Sequence, residues 1–434
     1  MAKNKKEMTP EERLAAALVP EEEQPYELPK GWKWVYWGKC GEFIAGTGFP
    51  KAYQGLTDRK YPFYKVGSLR YVDADGCLTD NQHTIDDDVL IKLKSKKVGP
   101  HAIVFAKIGE AIRLNRRGLT KQDCCIDNNM MAFQADKDLL SYQYAYFWSL
   151  GLDLYKYTNA TTVPAIRKTD LEKIIFPLPS LSEQWRIVTH IESMFAKLDA
   201  AKEKVQAVLD AHETRKAALL HEAIAGNLIG AGEKELKPLS EIVDLIRIGP
   251  FGSALHKEDY IQGGIPVVNP QHIVNQVICP DSRKSISESK ADSLAVYKMC
   301  VNDIIIGRRG EMGRTAPVGE DEAGWLCGTG CMLLRLKKEY DAKFYSLVIA
   351  SQKSKQYLET HAVGSTMKNL NEKIIRNLPV PVYSYAEQQE IVAVLDRLLG
   401  REEEVRQSAE SVLAAIDSMK QSILARAFRG ELVV

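Results

Sequence analysis

From Ser180 and again from Ser384, apolar residues recur at alternating spacings of four and three. In the first stretch the stripe is Ile187, Ile191, Met194, Leu198, Ala201, Val205, Val208, His212 and Leu219. In the second it is Ile391, Leu395, Leu398, Val405, Ala409, Val412, Ile416, Met419 and Ile423. This is a heptad seam, the signature of a coiled coil rather than of a helix lying on a sheet. It predicts two long helices, packed on each other as an antiparallel coiled coil. Three positions interrupt the seam: Arg215 aligns with Met419, His212 with Ile416, and Glu402 with Leu198. Solvated or end positions explain them most simply, and a docking site for another protein's helix is the sharper alternative.

The two stretches are copies of each other. Glu183-Gln184 aligns with Glu387-Gln388 at an offset of 387 − 183 = 204, and Gly226 aligns with Gly430 at the same offset without a gap. Each copy opens with a capping box, Ser180-x-x-Glu183 and Ser384-x-x-Glu387, which satisfies backbone N–H groups of the first turn. Pro177/Pro179 and Pro379/Pro381 lie just upstream and bar an earlier start. Gly226 and Gly430 are natural stops. A helix of this extent would be about 65–70 Å long at 1.5 Å per residue.

Before each helix lies a segment of mixed character. Short β-branched runs read as strands, among them 101–109 (HAIVFAKIG), 302–310 (NDIIIGRRG) and 331–336 (CMLLRL). Residues 141–157 and 342–360 read as helical. The duplication reaches weakly into these segments: 61–69 lies 204 residues before 265–273, and 162–166 lies 204 before 366–370. The expected class is therefore α+β, with a pseudo-two-fold internal repeat. Its parts are an arm over 1–25, a domain over 26–176, a helical spacer over 177–232, a second domain over 233–378 and a second spacer over 379–434. In the arm, Thr9-Pro10-Glu11-Glu12 marks a helix start, with Leu14 and Leu18 as a short apolar face. The arm is expected to pack near the outer end of the second long helix.

A length of 434 residues suits about three domains at roughly 150 residues each, or two with sizeable connectors. No apolar run is long enough to span a membrane, and the amino terminus has no signal-peptide core, so a cytoplasmic protein is expected. The eight cysteines include no CxxC pair, which argues against a zinc site or a disulfide framework. The net charge of +1 argues against tight, independent DNA binding, but not against local basic faces.

The glycine-rich pieces 46–50, 249–253 and 327–331 lack the surroundings of a dinucleotide site or P-loop and read as tight turns. No amino-methyltransferase, HExxH or GxSxG motif occurs, so no catalytic chemistry is indicated. Binding candidates are polar and basic residues beside turn glycines. They are Lys65, Ser68, Arg70, Arg113, Arg116 and Arg117 in the first domain, and Asn269, Gln271, His272, Arg308, Arg309, Arg314, Thr366, Lys368 and Asn369 in the second. Arg suits guanine, Asn and Gln suit adenine, and Lys and Ser commonly hold phosphate. The bland reading of each is an ordinary solvated loop residue.

The full order of motifs resembles the specificity (S) subunit of bacterial type I restriction–modification systems. The resemblance is carried by Pro177-x-Pro179…Glu183-Gln184-x-x-Ile187-Val188 and Pro379-x-Pro381…Glu387-Gln388-x-x-Ile391-Val392. It is carried also by the helix exits, Leu219-Leu220-x-x-Ala223-x-x-Gly226-x-Leu228 and Ile423-Leu424-x-x-Ala427-x-x-Gly430-x-Leu432, and by the domain opening Leu28-Pro29-Lys30-Gly31-Trp32. The first domain's nearest counterpart of Arg308-Arg309-Gly310 is Lys107-Ile108-Gly109.

The resemblance implies two target recognition domains, each reading half of a split double-stranded DNA sequence, and a helical spacer that holds two methyltransferase (M) subunits and the restriction (R) subunits. On this view Ile187, Ile191, Leu198, Val205, Leu219, Ile391, Leu395, Val412, Ile416 and Ile423 form the coiled coil and its partner surface. It implies no cofactor in this chain, with S-adenosylmethionine, ATP and Mg used by the partners. The alternatives are a restriction or modification enzyme, which lacks its motifs here, and a non-catalytic coiled-coil scaffold or a DNA-binding module of another restriction-type system.

Overall fold

The computed structural model describes residues 8–159, 162–364 and 368–432, with the side chain of Ser253 left aside. Its contacts divide the chain into two units, one of residues up to 204 together with those from 412 onward, the other of residues 205–411.

In the first unit, strands Gly41–Ala45, Met130–Ala135, Ile103–Ala106 and Arg117–Leu119 lie in that spatial order as an antiparallel sheet. A second sheet sets Tyr61–Tyr64 between Thr84–Ile85, antiparallel, and Cys125–Ile126, parallel. Strand Lys33–Tyr36 pairs with Ile175–Leu178. Trp37 is fully buried and contacts Phe43, Phe133 and Trp148 at centroid distances of 4.8, 4.9 and 5.0 Å. Large rings packed edge-on and tilted in this way fill the core with few voids.

The arm is fastened to this unit. Helix Pro10–Ala15 carries the expected capping box between Thr9 and Glu12. Arg13 pairs with Asp136 and Asp138 at 2.8 and 2.6 Å. The next residues add to strand Lys33–Tyr36, with Val19 N–H donating to the Trp34 carbonyl (3.0 Å) and Tyr36 N–H to that of Ala17 (2.9 Å). Leu14 packs on the same core as Leu424, Ala427 and Phe428 from the end of the second long helix.

The second unit repeats the plan with different side chains. Val243–Ile248, Cys331–Leu336, Asp303–Gly307 and Thr315–Pro317 form the four-stranded antiparallel sheet. Ile265–Val268 lies between Ser285–Ile286, antiparallel, and Leu326–Cys327, parallel, and Tyr260–Ile261 adds an extra strand. Leu236–Pro238 pairs with Pro379–Pro381. Where Trp37 N–H donates to the Ile174 carbonyl at 2.7 Å, Leu239 N–H donates to that of Leu378 at 2.8 Å. The core around Leu239 is largely aliphatic, with Ile304, Met332 and Leu334 fully buried.

The first long helix runs Leu181–Asp210 and, after Ala211, continues as His212–Ile224; the second runs Tyr385–Ala427. The first copy is thus one long helix, as expected, with a single interruption of its hydrogen-bond pattern. Ala211 keeps helical angles (φ −82°, ψ −5°), while Arg215 Nη1 donates to the Val208 carbonyl at 3.1 Å. A side chain that captures a ladder carbonyl interrupts the hydrogen-bond pattern without ending the helix. Gly226 (φ 74°) and Gly430 (φ 72°) sit at the exits, as expected of left-handed C-caps.

The seam also differs from the simple heptad reading. Ile187 and Ile191 belong to the first unit's core, Ile391 and Leu395 to the second's, so the opening turns of each helix lie on their own domain. Leu219 and Ile423 pack at the margins of those cores. Helix meets helix between these ends. In the first unit Lys202 pairs with Asp417 at 2.9 Å and Lys420 with Asp199, so residue numbers rise along one helix and fall along the other. Ile416 is buried and Leu198 half-buried, but Val412 is 44% exposed. In the second unit Val205 is half-buried.

The three seam flaws lie together. Arg215 Nε donates to Glu402 Oε2 at 2.9 Å, and the buried His212 ring lies 3.6 Å from the same oxygen. They form a polar layer inside the second unit, and neither the solvated nor the docking reading describes it.

Candidate nucleic-acid interface

The two sheets of each domain bring the same four loops together. In the second domain Gly328 N–H donates to the Val268 carbonyl (2.8 Å), Arg308 N–H to that of Gly330 (2.9 Å), and Leu370 N–H to that of Arg308 (2.9 Å). In the first, Asp127 N–H donates to the Tyr64 carbonyl (2.9 Å), Lys107 N–H to that of Asn129 (2.8 Å), and Ile166 N–H to that of Lys107 (2.9 Å). One backbone frame is built twice, which places Lys107 where the other domain has Arg308. Close approach requires glycine at its edge. A Cβ on Gly46 would lie 1.8 Å from the Asp127 carbonyl oxygen, and one on Gly249 would lie 1.9 Å from that of Gly328. Of the glycine-rich pieces, 327–331 makes the expected turn at Thr329-Gly330, while 46–50 is not a turn and Gly252–Ala254 is a short 3-10 helix.

On this frame the domains carry different side chains. Lys65 and Asn269 occupy one shared position, and Ser68 and His272 another: Lys65 N–H donates to Ser68 Oγ (3.0 Å), and Asn269 N–H to His272 Nδ1 (3.2 Å). Lys65 Nζ reaches Gln54 at 3.0 Å. In the second domain Arg308 Nε donates to the Leu370 carbonyl (3.0 Å) and Arg314 Nη1 to that of Pro270 (3.0 Å). Arg309 is exposed, and its backbone bridges to Asn369. The predicted residues Asn269, Arg308, Arg309, Arg314 and Asn369 are thus gathered at one end of the domain. The Asn369 Oδ1 is buried without a partner. Lys368 is exposed and turned onto the Glu359 carbonyl at 3.1 Å, and Gln271 is exposed beside His272. Thr366 lies outside the described residues.

Three expected contacts are corrected by burial. Ser68 and His272 are buried as caps of their own turns. Arg117 is 4% exposed and donates to the Leu152 carbonyl (2.8 Å) and Asn115 Oδ1 (3.0 Å). Burial lowers its pKa to about 10. It ties loops together rather than facing a ligand. Arg113 lies over the Tyr155 ring and hydrogen-bonds its hydroxyl, with Glu110 at 2.8 Å. Arg70 and Arg116 are exposed.

Lys107 is the residue that sequence reasoning named only as a counterpart. Burial pushes its ammonium pKa down while Asp127 pulls it up; burial raises the Asp127 carboxyl, and Lys107 is among the groups that oppose this. Burial likewise lowers Arg308 and His272. Each domain therefore keeps a half-buried, poorly solvated cation at the same backbone position.

The family model for the type I restriction modification DNA specificity domain matches residues 29–210 and again 233–410. The chain belongs to this family. Each specificity-domain match takes in one mixed domain and runs well into the following long helix. Among relatives, the type I restriction enzyme EcoBI specificity subunit of Escherichia coli is 26% identical over 297 residues, covering 63% of this chain and 62% of that protein. The StySPI specificity subunit of Salmonella potsdam is 22% identical over 432 residues, covering 94% of this chain and 90% of that protein. The HsdS subunit of Thermoanaerobacter tengcongensis shares the fold, with a TM-score of 0.61 at 18% identity, over 94% of this chain and all of that one. A chain from a study of complex assembly and conformational transition of the type I R-M system matches at TM-score 0.65 and 19% identity, with the same coverage. Both shared-fold neighbours fit the mixed domains and long helices of this specificity chain. Among the described residues, no helix is long and apolar enough to cross a membrane.

Proposed function

We propose that this chain is the non-catalytic, DNA-reading scaffold of a type I restriction–modification complex, each domain reading one half of a split duplex target. The observation that carries this is the loop frame built twice with different side chains: Lys65 and Lys107 on one copy, Asn269 and Arg308 on the other. A duplicated frame with divergent polar groups suits two different half-sequences, since base readout depends on donor and acceptor placement. Two half-sequences read by one chain call for a fixed half-site spacing, as for dimeric DNA readers generally.

On this reading two methyltransferase subunits dock on the pseudo-symmetric helical scaffold, bringing S-adenosylmethionine-dependent adenine methylation, and restriction subunits bring ATP- and Mg-dependent translocation and cleavage. Val412 and Met419, seven apart and 44% and 53% exposed, are apolar surface suited to a partner helix. A net charge of +1 fits a reader whose partners supply much of the phosphate contact. The test is a domain exchange. Replacing residues 26–176 with the first domain of another specificity subunit should change one half of the methylated sequence and leave the other intact. A change in both halves would refute modular reading.

A further inference from the structure

The loop leaving strand Val243–Ile248 presents Phe251 to solvent, 69% exposed, although most large rings of this chain are packed away. The loop is not loose at its root. Gly249 is pressed against the Gly328 carbonyl, and Gly328 backs onto Asn269, where a Cβ would lie 2.5 Å from Oδ1. Phe251 is thus rooted at the end of the domain where Asn269, Arg308 and Arg309 gather. Gly252, with φ +62°, follows at once and lets the loop take a left-handed backbone conformation there.

The first domain supplies the contrast. Its loop is rooted in the same way, with Gly46 against the Asp127 carbonyl. Its aromatic residue, Phe49, is folded inward and lies face to face on Phe63, with centroids 3.7 Å apart and planes 7° from parallel. The same loop carries one ring folded in and one left out. An exposed ring rooted at the same end of a domain as cations is the equipment of a side chain that enters a base stack, the cations holding phosphate while the ring replaces a base neighbour.

Resting on the split-target reading above, we propose that Phe251 is a wedge that enters the base stack of the half-site read by the second domain. That half is then recognised partly through how readily one base step opens, and pyrimidine–purine steps open most easily. The first domain reads its half without such a wedge.

The test uses the full chain with its methyltransferase subunits, on duplexes of the methylated sequence carrying 2-aminopurine at successive positions. Binding should raise fluorescence at one step of one half-site and at none of the other. Phe251→Ala should abolish that rise and weaken binding about tenfold. Phe251→Leu, which keeps a wedge, should retain most of both. A wild-type complex that binds without any fluorescence rise overturns the wedge, as does a Phe251→Ala complex that binds and unstacks like wild type. Loss of methyltransferase subunits from the Phe251→Ala complex would place the ring against protein and overturn it too. A wild-type complex that does not retain the duplex would sink the split-target reading itself, a separable result.

Discussion

Gln184 accepts a hydrogen bond from the Ser141 backbone N–H at 2.8 Å, a polar tie between the first long helix and its domain. The same buried side chain donates to the Leu139 and Pro179 carbonyls, both at 3.0 Å. Gln388 repeats the arrangement, accepting from Asp341 N–H (2.7 Å) and donating to the Tyr383 (2.8 Å) and Glu339 (3.4 Å) carbonyls. Tyr144 and Tyr345 close the joints by donating to the Pro177 and Pro381 carbonyls at 2.9 and 3.0 Å. Replacing Gln184 with Leu should cost about 2–4 kcal/mol, because buried backbone groups lose their partners. Denaturant titration measures the cost, and hydrogen exchange should show the loosening confined to the first unit. A loss below measurement error would mean that the joint is not held by this amide.

The polar layer of the second unit should behave as a unit. Glu402→Leu alone should cost roughly 1–3 kcal/mol by removing the carboxylate that pairs with Arg215 and lies against the buried His212 ring. Combining it with His212→Ile and Arg215→Met, the residues found one repeat away, should recover most of that loss. Strict additivity in a mutant cycle would show that the three side chains do not interact.

Ile416 and Val412 separate two roles that one heptad pattern cannot. Ile416 is 4% exposed and Val412 is 44% exposed. Ile416→Asp should destabilise the chain by about 3 kcal/mol or more, as an unpaired charge is forced into a dry seam. Val412→Asp should stay within about 0.5 kcal/mol of wild type and instead reduce methyltransferase subunits in native mass spectra. Equal destabilisation by both would contradict the burial difference.

His272 gives a pH dependence of known sign. Burial holds its pKa below the ordinary 6.5, so the unfolded chain binds a proton that the folded chain refuses. Stability supplied by this site is complete above pH 6.5 and falls as pH drops below it, until the lower folded pKa is passed. His272→Gln keeps an acceptor for Asn269 N–H and should flatten this fall relative to wild type. Urea midpoints at a series of pH values decide the matter, and parallel curves would count against it.

Arg309 and Arg117 should part company. Exposed Arg309, changed to Ala, should weaken DNA binding and reduce the salt-dependence slope by about 1 with little effect on melting. Buried Arg117, changed to Ala, should lower the melting temperature of the first unit and leave that slope unchanged. Matching behaviour of the two variants would undo the assignment by burial.

Much of this architecture was legible because its signals are local. Ser180, Ser384, the proline pairs and the glycines at 226 and 430 act within one or two turns, so helix starts and exits could be read without knowing the fold. The offset of 204 exposed the repeat, and Tyr61–Tyr64 and Ile265–Val268 do occupy matching strands. The candidate site was only partly legible. Arg309 and Asn369 meet through a backbone bridge between segments some sixty residues apart in sequence, and Lys107 gains its place only by equivalence with Arg308. Nothing near Arg117 in the sequence announces that its guanidinium is spent on the Leu152 carbonyl.

By itself the sequence determined two capped long helices, two mixed domains and their duplication, since hydrogen-bond caps, proline sterics and apolar period are short-range constraints. Tertiary structure alone decided which stripe residues lie on a domain and which on the partner helix, that Arg215 pairs with Glu402 beside the buried His212 ring, and which basic side chains face water. Those outcomes depend on burial and on partners distant in the chain, and the periodicity of apolar positions carries no information about either.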